Sequence, residues 1–354
     1  MKKTLVLKVD SQRPDEEKIK IAAELIKNGG LVAFPTETVY GLGANALNVE
    51  AVLELFKAKN RPLDNPPIVH VSDFKDLHAL VEEVSCAAQM LTEAFWPGPL
   101  TLIFKRSKNV PEVTVACLDT IAIRMPRHNV ALALIRESGC PISAPSANLA
   151  GKPSPTSAEH VLDDLIGRID AVLDAGPTHI GVESTVLDLT VDPPQILRPG
   201  GTTYEDLRKI LPKVELNPVV TADKALAFEK ARSPGVKHKH YAPDAEMVVV
   251  EGDAEHVMSK MKELIELYSG EGKKVGVLGT DETVRSLEAD VIKSMGSRTD
   301  LAQVARNLFK QLREFNVEHV DVIVAESVLT EGLGLAVMNR LRKAAGYRIV
   351  KAYE

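Results

Sequence analysis

The sequence predicts an α/β protein of two domains, and three observations support this fold class. Its 354 residues are enough for two domains of ordinary size. Strand and helix patterns mix without strict alternation over residues 1–210, which favours a twisted, mixed open sheet with helices. From residue 246 to 354, short apolar strands alternate with helices, which is typical of a smaller, Rossmann-like parallel α/β domain. Residues 211–245 are then expected to form an ordered linker between the domains.

The composition excludes several classes of protein. Hydrophobic residues make up 45% of the chain, which excludes global disorder. The net charge of −6 excludes a basic electrostatic field over the whole protein, although a local basic patch is compatible with it. Cys86, Cys117 and Cys140 are far apart, which indicates buried thiols in a reducing compartment. No window approaches the roughly 20 apolar residues of a membrane span, and the apolar stretch near the start is too short for a signal peptide. We therefore expect a soluble, cytoplasmic protein with no membrane partner.

The elements of the first domain follow from apolar spacing. In PDEEKIKIAAELIKNGG, Asp15 can cap a helix, and Ile19, Ala22, Ala23 and Ile26 recur on one helical face. Further strands are predicted at LVAF, PIVHV, LTLIFK, IAIRMP, AVLDAG and STVLDL. Further helices are predicted near Val49–Lys59, Phe74–Phe95, Val130–Ser138 and Ala158–Ile166.

The second domain follows an unusual linker. SPGVKHKHYAP, Ser233 to Pro243, has two prolines around a glycine and a run of basic residues, which differs from an ordinary Gly/Ser-rich spacer. Strands are then predicted at EMVVVEG, KKVGVLGT and VDVIVAE, and helices at about Glu255–Tyr268, Asp300–Phe315 and Leu335–Ala345. Because VGVLGT lacks the G-x-G-x-x-G pattern, no dinucleotide site is predicted there.

Polar side chains come directly after the first-domain strand LVAF. In FPTETVYGLGANA, the residues Thr36, Glu37, Thr38 and Tyr40 stand just past the end of the strand. Hydroxyl groups in that position can bind a small polar ligand. A capped turn with ordinary surface hydroxyls explains the pattern equally well.

Cationic residues mark two further strand or helix ends. In KAKNRPLDNPPIVH, Lys57 is best interpreted as a cation that interacts with the dipole at the C-terminus of its helix. Arg61 precedes a proline, which holds the backbone of Arg61 extended. Such a fixed guanidinium suits phosphate or carboxylate. His70, alone in an apolar strand, is more often a core histidine than a ligand. In DTIAIRMPRH, a buried Arg124 must have an anionic partner, either from the protein or from a ligand.

Two loops add hydroxyl and amide groups. PISAPSANLAGKPSPTS carries Ser143, Ser146, Asn148, Ser154 and Thr156 among small residues that let a ligand approach the backbone, although a proline-rich surface loop is the alternative. GVESTVLDLT and ILRPGG add further polar groups, namely Ser184, Thr185 and Arg198. No His/Cys metal cluster, G-x-S-x-G elbow or Walker A loop is present. Cations and hydroxyls without a nucleophile indicate that phosphates and carboxylates are held and aligned.

These motifs together resemble the threonylcarbamoyl-AMP synthase family. FPTETVYGLGANA, KAKNRP…NPPIVH, WPGPLT, IAIRMP, SAPSAN, STVLDL, LRPG and SPGVKHKHYAP resemble its long form, which has a YrdC-like domain, a linker and a Rossmann-like domain. The resemblance covers about residues 18–243 motif by motif and the rest by architecture. It implies condensation of L-threonine, bicarbonate and ATP into threonylcarbamoyl-adenylate with release of pyrophosphate. A separate downstream enzyme would then transfer the threonylcarbamoyl group to the adenosine beside the anticodon of certain tRNAs.

The resemblance also implies roles for individual residues. The K-x-R and S-x-N signature matches Lys59, Arg61, Ser146 and Asn148, of which Lys59 and Arg61 would be catalytic. The ATP-binding residues would be Lys59, Arg61, Asn65, Thr120, Ser146, Asn148, Ser154, Arg198 and Tyr241. The residues around threonine would be Thr38, His70, Arg124, Ser143 and Ser184. Magnesium would accompany ATP, with no metal ligands assigned to the protein.

Several questions stay open at this level. We hypothesise that Ser233–Pro243 folds over the site as a lid that shields a hydrolysable carbamate, with a solvated hinge as the alternative. A module that binds structured RNA without chemistry is one competing function. ATP-dependent adenylation with another amino acid is a second. The sequence does not decide the role of the second domain, or whether a transient tRNA contact occurs.

Overall fold

The computed structural model describes residues 2–224 and 240–352, which separate into two compact units. The first unit comprises residues 2–150 and 154–220, and the second comprises 151–153, 221–224 and 240–352. The larger sheet and the smaller parallel sheet fall into different units, as the sequence predicts. Most of the linker motif SPGVKHKHYAP, at residues 233–239, lies outside the described residues.

Residues 2–221, which form the first unit except for 151–153 and Thr221, carry the helices α1 to α8 and the strands β1 to β11. In chain order these are β1 (Leu5–Lys8), α1 (Glu16–Lys27), β2 (Val32–Phe34), β3 (Gly41–Asn45), α2 (Val49–Ala58), β4 (Val69–His70), α3 (Leu77–Leu80), α4 (Cys86–Phe95), β5 (Leu100–Lys105), β6 (Thr120–Arg124), α5 (Asn129–Ser138), β7 (Ile142–Ser143), α6 (Ala158–Leu165), β8 (Ala171–Asp174), β9 (Thr185–Asp188), β10 (Gln195–Arg198), α7 (Tyr204–Ile210), β11 (Glu215–Leu216) and α8 (Pro218–Thr221).

Within the described residues, the strands of this unit form one mixed sheet. Its strand order is β1-β8-β2-β3-β7-β4-β6-β5-β9-β10-β11. Parallel pairs such as β1–β8 and β4–β6 occur beside antiparallel pairs such as β2–β3 and β5–β6. The prediction of a mixed rather than doubly wound sheet is therefore confirmed.

Apolar residues of β2, together with Leu31 just before it, contribute to two separate cores because successive strand side chains point to opposite faces. Val32 and Phe34 belong to a cluster with residues of α1 and α5. Leu31 and Ala33 belong to a second cluster with residues of α2 and α6. Helices on both faces explain why LVAF is continuously apolar instead of alternating.

The second unit has a parallel sheet between helices. Its elements are β12 (Glu246–Gly252), α9 (Ala254–Gly270), β13 (Val275–Gly279), α10 (Asp281–Val284), β14 (Val291–Ser294), α11 (Leu301–Glu318), β15 (Val322–Glu326), α12 (Leu333–Ala344) and β16 (Ile349–Ala352). In the described part of the chain the strand order is β14-β13-β15-β12-β16, and every pair is parallel. Val275 and Val277 pack with α9, whereas Gly276 between them faces Phe315 of α11. The Rossmann-like prediction is confirmed.

Several element predictions need correction. The single helix expected over Phe74–Phe95 is broken, because Val81 is extended and bridges Arg106, after which Ser85 caps a new helix. Among the described residues, seven strands were not predicted, namely β1, β3, β7, β10, β11, β14 and β16. Gly43 explains why β3 was missed: glycine disfavours strands, but a Cβ here would lie 2.9 Å from side-chain atoms of Phe34 and Ile142.

The expectation of buried cysteines is wrong for two of the three. Cys86 and Cys117 are exposed, and Cys140 is half-buried. Cys86 lies in the first turn of α4, and Cys117 lies in a turn with φ of 60°. Among the described residues, no helix is long and apolar enough to cross a membrane.

Candidate active site

The residues that follow β2 are buried. Thr36, Glu37 and Thr38 are at most 5% exposed, so the alternative of a turn with surface hydroxyls is wrong. The Thr36 hydroxyl donates to the carbonyl of Val39 at 2.7 Å and lies 2.8 Å from the Thr38 hydroxyl. Backbone N–H groups at residues 180–181 donate to the carbonyls of Glu37 and Thr38. The segment is thus a fixed part of the interior that presents polar groups.

Arg124 occupies the centre of a row of polar residues across the sheet. On β6, it pairs in register with His70 of β4 on one side and Thr101 of β5 on the other. It is 4% exposed. Three neighbouring strands therefore bring a guanidinium, an imidazole and a hydroxyl group together.

The guanidinium of Arg124 is held by the protein. Its Nε donates to the carbonyl of Gly98 at 3.1 Å, and its Nη1 donates to the Thr38 hydroxyl at 2.9 Å. Its Nη2 lies 2.7 Å from Oε2 of Glu37, which supplies the anionic partner that a buried arginine needs. These last two atoms are close but are not aligned for a hydrogen bond. The side chain is consequently fixed while part of its hydrogen-bonding capacity stays unused.

His70 is a neutral imidazole beside this arginine. Burial, reinforced by the charge of Arg124, lowers the pKa of His70 to about 3. Its Nδ1 lies 3.2 Å from the carbonyl of Ile68, which indicates that Nδ1 carries the proton and Nε2 is an acceptor. The interpretation as a core histidine accounts for the burial and the Ile68 contact. Its place next to Arg124 also puts it in the site.

Ser184 is held between an arginine and a threonine. Arg198 donates through Nε and Nη2 to the carbonyl of Ser184 at 3.1 and 2.9 Å, and through Nη2 to its hydroxyl at 3.2 Å. The Ser184 hydroxyl also lies 2.8 Å from that of Thr101. All three residues are buried. Ser184 thus joins the polar row through Thr101, which the sequence analysis did not single out.

Three other predicted residues lie at different points of the unit. The Ser154 hydroxyl donates to Oε1 of Glu183 at 2.6 Å, next to Ser184 in the chain. Ser143 is fully buried on β7, opposite Val69 of β4. Thr120 begins β6, four residues before Arg124 and therefore about 13 Å away along the strand. The predicted ATP contact of Thr120 stays a prediction.

Lys59 is directed at the backbone of the S-x-N loop. It is 1% exposed, and its ammonium donates to the carbonyls of Ser146 and Asn148. The N–H of Ala150 donates back to the carbonyl of Lys59. Lys59 of the K-x-R motif is thereby connected to Ser146 and Asn148 of the S-x-N motif, which lie 87 and 89 residues further along the chain. Lys59 positions this loop, and its predicted direct contact with ATP stays a prediction.

Arg61 folds onto its own loop. Its Nε donates to the carbonyl of Asn65 at 2.9 Å and its Nη2 to that of Pro66 at 3.2 Å. Its guanidinium also lies 6.0 Å from the ring centroid of Phe56. The loop leads into β4, where the N–H of Ala144 donates to the carbonyl of Ile68, so the two motif loops lie near one another.

Tyr241 belongs to the second unit. Its ring stacks on Phe309 at 5.2 Å, and the guanidinium of Arg340 lies 5.4 Å from its centroid. It is 4% exposed and has a positive φ of 65°. Its predicted contact with ATP stays a prediction, as does the lid, whose residues 233–239 lie outside the described part.

The polar groups define a class of site. Within the described residues no group of three or more His, Cys, Asp or Glu side chains could hold a metal ion. Fixed guanidinium groups, hydroxyls and a neutral imidazole suit a small hydroxylated carboxylate and other anions. This is an α/β protein whose larger unit holds buried cations and hydroxyls suited to small polar anions, with a Rossmann-like second unit.

Comparisons with known proteins agree with this class. A family model described as "Telomere recombination" (Sua5_yciO_yrdC) matches residues 24–200, and a model of the threonylcarbamoyl-AMP synthase C-terminal domain matches residues 202–346. Threonylcarbamoyl-AMP synthase of Pyrococcus abyssi is 52% identical over 98% of this chain and 99% of its own. That of Bacillus subtilis is 49% identical over 97% of each chain. The crystal structure of P. abyssi Sua5 complexed with L-threonine matches with a TM-score of 0.94 and 51% identity, covering 99% of this chain and all of that one.

The chain belongs to the threonylcarbamoyl-AMP synthase family. The resemblance drawn from the sequence motifs is therefore confirmed, and so is the two-part architecture that it implied.

Proposed function

We propose that this protein carries out the reaction of its family. It is an enzyme of the nucleotidyltransferase type that joins L-threonine, bicarbonate and ATP into threonylcarbamoyl-AMP, with release of pyrophosphate and water. The product serves the threonylcarbamoyladenosine modification of tRNA beside the anticodon.

The row of His70, Arg124 and Thr101 carries the proposal. A guanidinium held by Gly98 and Thr38 is pre-organised to bind the threonine carboxylate. The threonine hydroxyl needs a hydrogen-bonding partner, since a site built to pair with that group rejects analogues that lack it. Ser184 and Ser143 supply hydroxyls for this role.

The chemistry requires a neutral amine. After the bound ammonium of threonine loses a proton to solvent, the unprotonated nitrogen reacts with bicarbonate to form a carbamate and water. The carbamate oxygen then attacks the α-phosphate of ATP, displacing pyrophosphate. Because His70 stays neutral with Nε2 as an acceptor, it can accept a hydrogen bond from the amine and orient it. Arg61 and Arg198 would offset the charge that develops on the phosphates. Lys59 would act by fixing the Ser146–Asn148 loop.

Magnesium fits this site as a companion of ATP. No protein cluster of metal-ligating side chains is present among the described residues, so phosphate oxygens and water would be its main ligands. When bound, the ion would neutralise phosphate charge.

The wider setting completes the proposal. We place the protein in the cytoplasm, where a downstream enzyme would take the threonylcarbamoyl group from the adenylate to tRNA. A transient contact with tRNA would make that transfer efficient.

Pyrophosphate release measured with and without L-threonine and bicarbonate tests the function. The proposal expects release only when ATP, threonine and bicarbonate are all present, and identification of threonylcarbamoyl-AMP by mass spectrometry. Release with a different amino acid would indicate another adenylation. Salt-dependent RNA binding without any ATP consumption would favour the RNA-binding module.

A further inference from the structure

Glu37 is a buried carboxylate that the reaction described above does not use. Its side chain is 6% exposed, and its Oε2 lies 2.7 Å from Nη2 of Arg124. Among the described residues, neither carboxylate oxygen has an aligned hydrogen-bond donor, and Nη2 of Arg124 has no aligned acceptor. Buried polar atoms are normally hydrogen-bonded, so this pair has a capacity that the described protein groups leave unused.

The need to orient Arg124 does not explain why a carboxylate is buried at position 37. Gly98 and Thr38 already hold the guanidinium through Nε and Nη1. A nearby histidine does not supply a second cation, because burial lowers the pKa of His128 to about 4 even though the charge of Glu37 opposes the shift. His128 is therefore neutral at pH 7, and the carboxylate faces the guanidinium as one negative charge beside one positive charge.

We propose that Glu37 binds the α-ammonium group of L-threonine while Arg124 binds its carboxylate. An α-amino acid carries these two groups on one carbon, so a zwitterion matches two adjacent protein charges of opposite sign. The ammonium supplies the donors that Glu37 lacks, and the carboxylate supplies acceptors for Nη2 of Arg124. Glu37 is thereby a specificity residue for the amino group, and this inference rests on the proposed function of the site.

Glu37 also disfavours the binding to Arg124 of carboxylate ligands that lack an ammonium group. A ligand without an ammonium group must compete with Glu37 for the guanidinium and leaves a buried carboxylate without a donor. Removal of the Glu37 charge should therefore leave the affinity for such a ligand unchanged or raise it, whereas it should lower the affinity for threonine. A role confined to positioning Arg124 would instead affect both ligands alike.

Calorimetry on the full chain without ATP tests this difference. Its two probes are L-threonine and 2,3-dihydroxybutyrate, in which a hydroxyl replaces the ammonium. In Glu37→Gln, we expect threonine to bind about 10- to 100-fold more weakly, while dihydroxybutyrate binds as well as before or more tightly. Glu24→Gln, on the exposed face of α1, is the matched control and should change neither.

ATP binding and the melting temperature show whether each variant is folded. If Glu37→Gln does not fold, Glu37→Asp retracts the same charge by one methylene and should show the same pattern with a smaller change. Equal weakening of both probes, or no change in either, overturns the assignment. If the wild-type protein binds ATP but not threonine, the proposed function fails and this inference fails with it.

Discussion

The ammonium of Lys59 donates to the backbone carbonyl of Ser146, across 87 residues of sequence. The same ammonium donates to the carbonyl of Asn148, and both acceptors lie in the S-x-N loop. Since Lys59 is 1% exposed at the end of α2, the charge of this lysine serves to hold a loop. Lys59, a residue of the family signature, thus holds the backbone of the site in place in addition to contributing a positive charge.

Replacement of Lys59 by methionine should impair both stability and catalysis. The substitution keeps the length of the side chain but removes donors from buried carbonyls, so we expect a loss of about 2–4 kcal/mol in the free energy of unfolding. Pyrophosphate release should fall sharply because the loop loses its anchor. Urea denaturation and the coupled assay measure the two effects.

Lys57→Met is the matched control, two residues away. Lys57 has a side chain that is 78% exposed and pairs only loosely with Glu54 on the surface of α2, so its replacement should leave both quantities nearly unchanged. A Lys59→Met protein that is as stable as wild type yet inactive would contradict the positioning role and favour direct contact with phosphate.

Ser143 and Ser138 offer a pair of substitutions that separates binding from stability. Each hydroxyl is buried and has no hydrogen-bond partner among the described residues, but only Ser143 belongs to the predicted threonine site. Substitution by alanine should leave stability unchanged or raise it by up to about 1 kcal/mol in both cases, because an unsatisfied group is removed. Ser143→Ala should also weaken threonine binding, whereas Ser138→Ala should not.

Thermal melting and threonine titration by calorimetry distinguish the two variants. Unchanged threonine affinity in Ser143→Ala would remove this residue from the site. A clear loss of stability in either variant would mean that its hydroxyl has a partner beyond the described residues.

The sequence predicts the fold where local chemistry and long-range packing agree. Helix α1 shows this agreement, since Asp15 caps it and its apolar stripe packs on the sheet. Strand β3 shows the opposite case, because Gly41 and Gly43 have low strand propensity, yet close packing leaves no room for a side chain at Gly43. The break before α4 depends on a bridge between Val81 and Arg106, which no local pattern reveals.

The site was predictable in its residue types but not in their partners. Arg124 was expected to be buried with an anion, and its anion is Glu37, which the sequence alone does not select from the other acidic residues. Lys59 was expected at the phosphates, yet its described contacts are backbone carbonyls. Such pairings depend on the relative placement of distant segments, which spacing along the chain does not encode.

Gly200 should be intolerant of a side chain. A Cβ at this position would lie 2.2 Å from the carbonyl oxygen of Glu183 and 2.4 Å from backbone atoms of Ser184 and Thr185. Because backbone must move to accommodate it, Gly200→Ala should displace Ser184 and lower kcat/KM for threonine by about 100-fold. Steady-state pyrophosphate release measures this loss.

Gly270→Ala is the control for the glycine substitution itself. Gly270 ends α9, and a Cβ there meets nothing within 4 Å among the described residues. The change should leave activity intact and stabilise the protein slightly, by about 0.5–1 kcal/mol. Wild-type activity in Gly200→Ala would show that the 183–185 segment can shift without consequence for the site.

The buried imidazole of His70 should make the protein less stable in mild acid. Its pKa is about 3 in the folded state against 6.5 as the ordinary value, so between these pH values the unfolded chain binds a proton that the folded chain does not. Stability is therefore fully present above about pH 7 and is lost as the pH falls below 6.5. His128, with a pKa lowered to about 4 by burial, adds a loss of the same sign.

Urea denaturation at pH 7.5 and 5.5 measures this dependence in a range where most carboxylates stay ionised. Each of the two histidines should contribute on the order of 1 kcal/mol to the decrease at pH 5.5. His70→Asn, which can still donate to the carbonyl of Ile68, should remove about half of the decrease. His78→Asn, at an exposed position of α3, should leave it as in wild type. An unaltered pH dependence in His70→Asn would mean that His70 binds its proton equally well in the folded and unfolded states, and a neutral imidazole beside Arg124 would no longer be tenable.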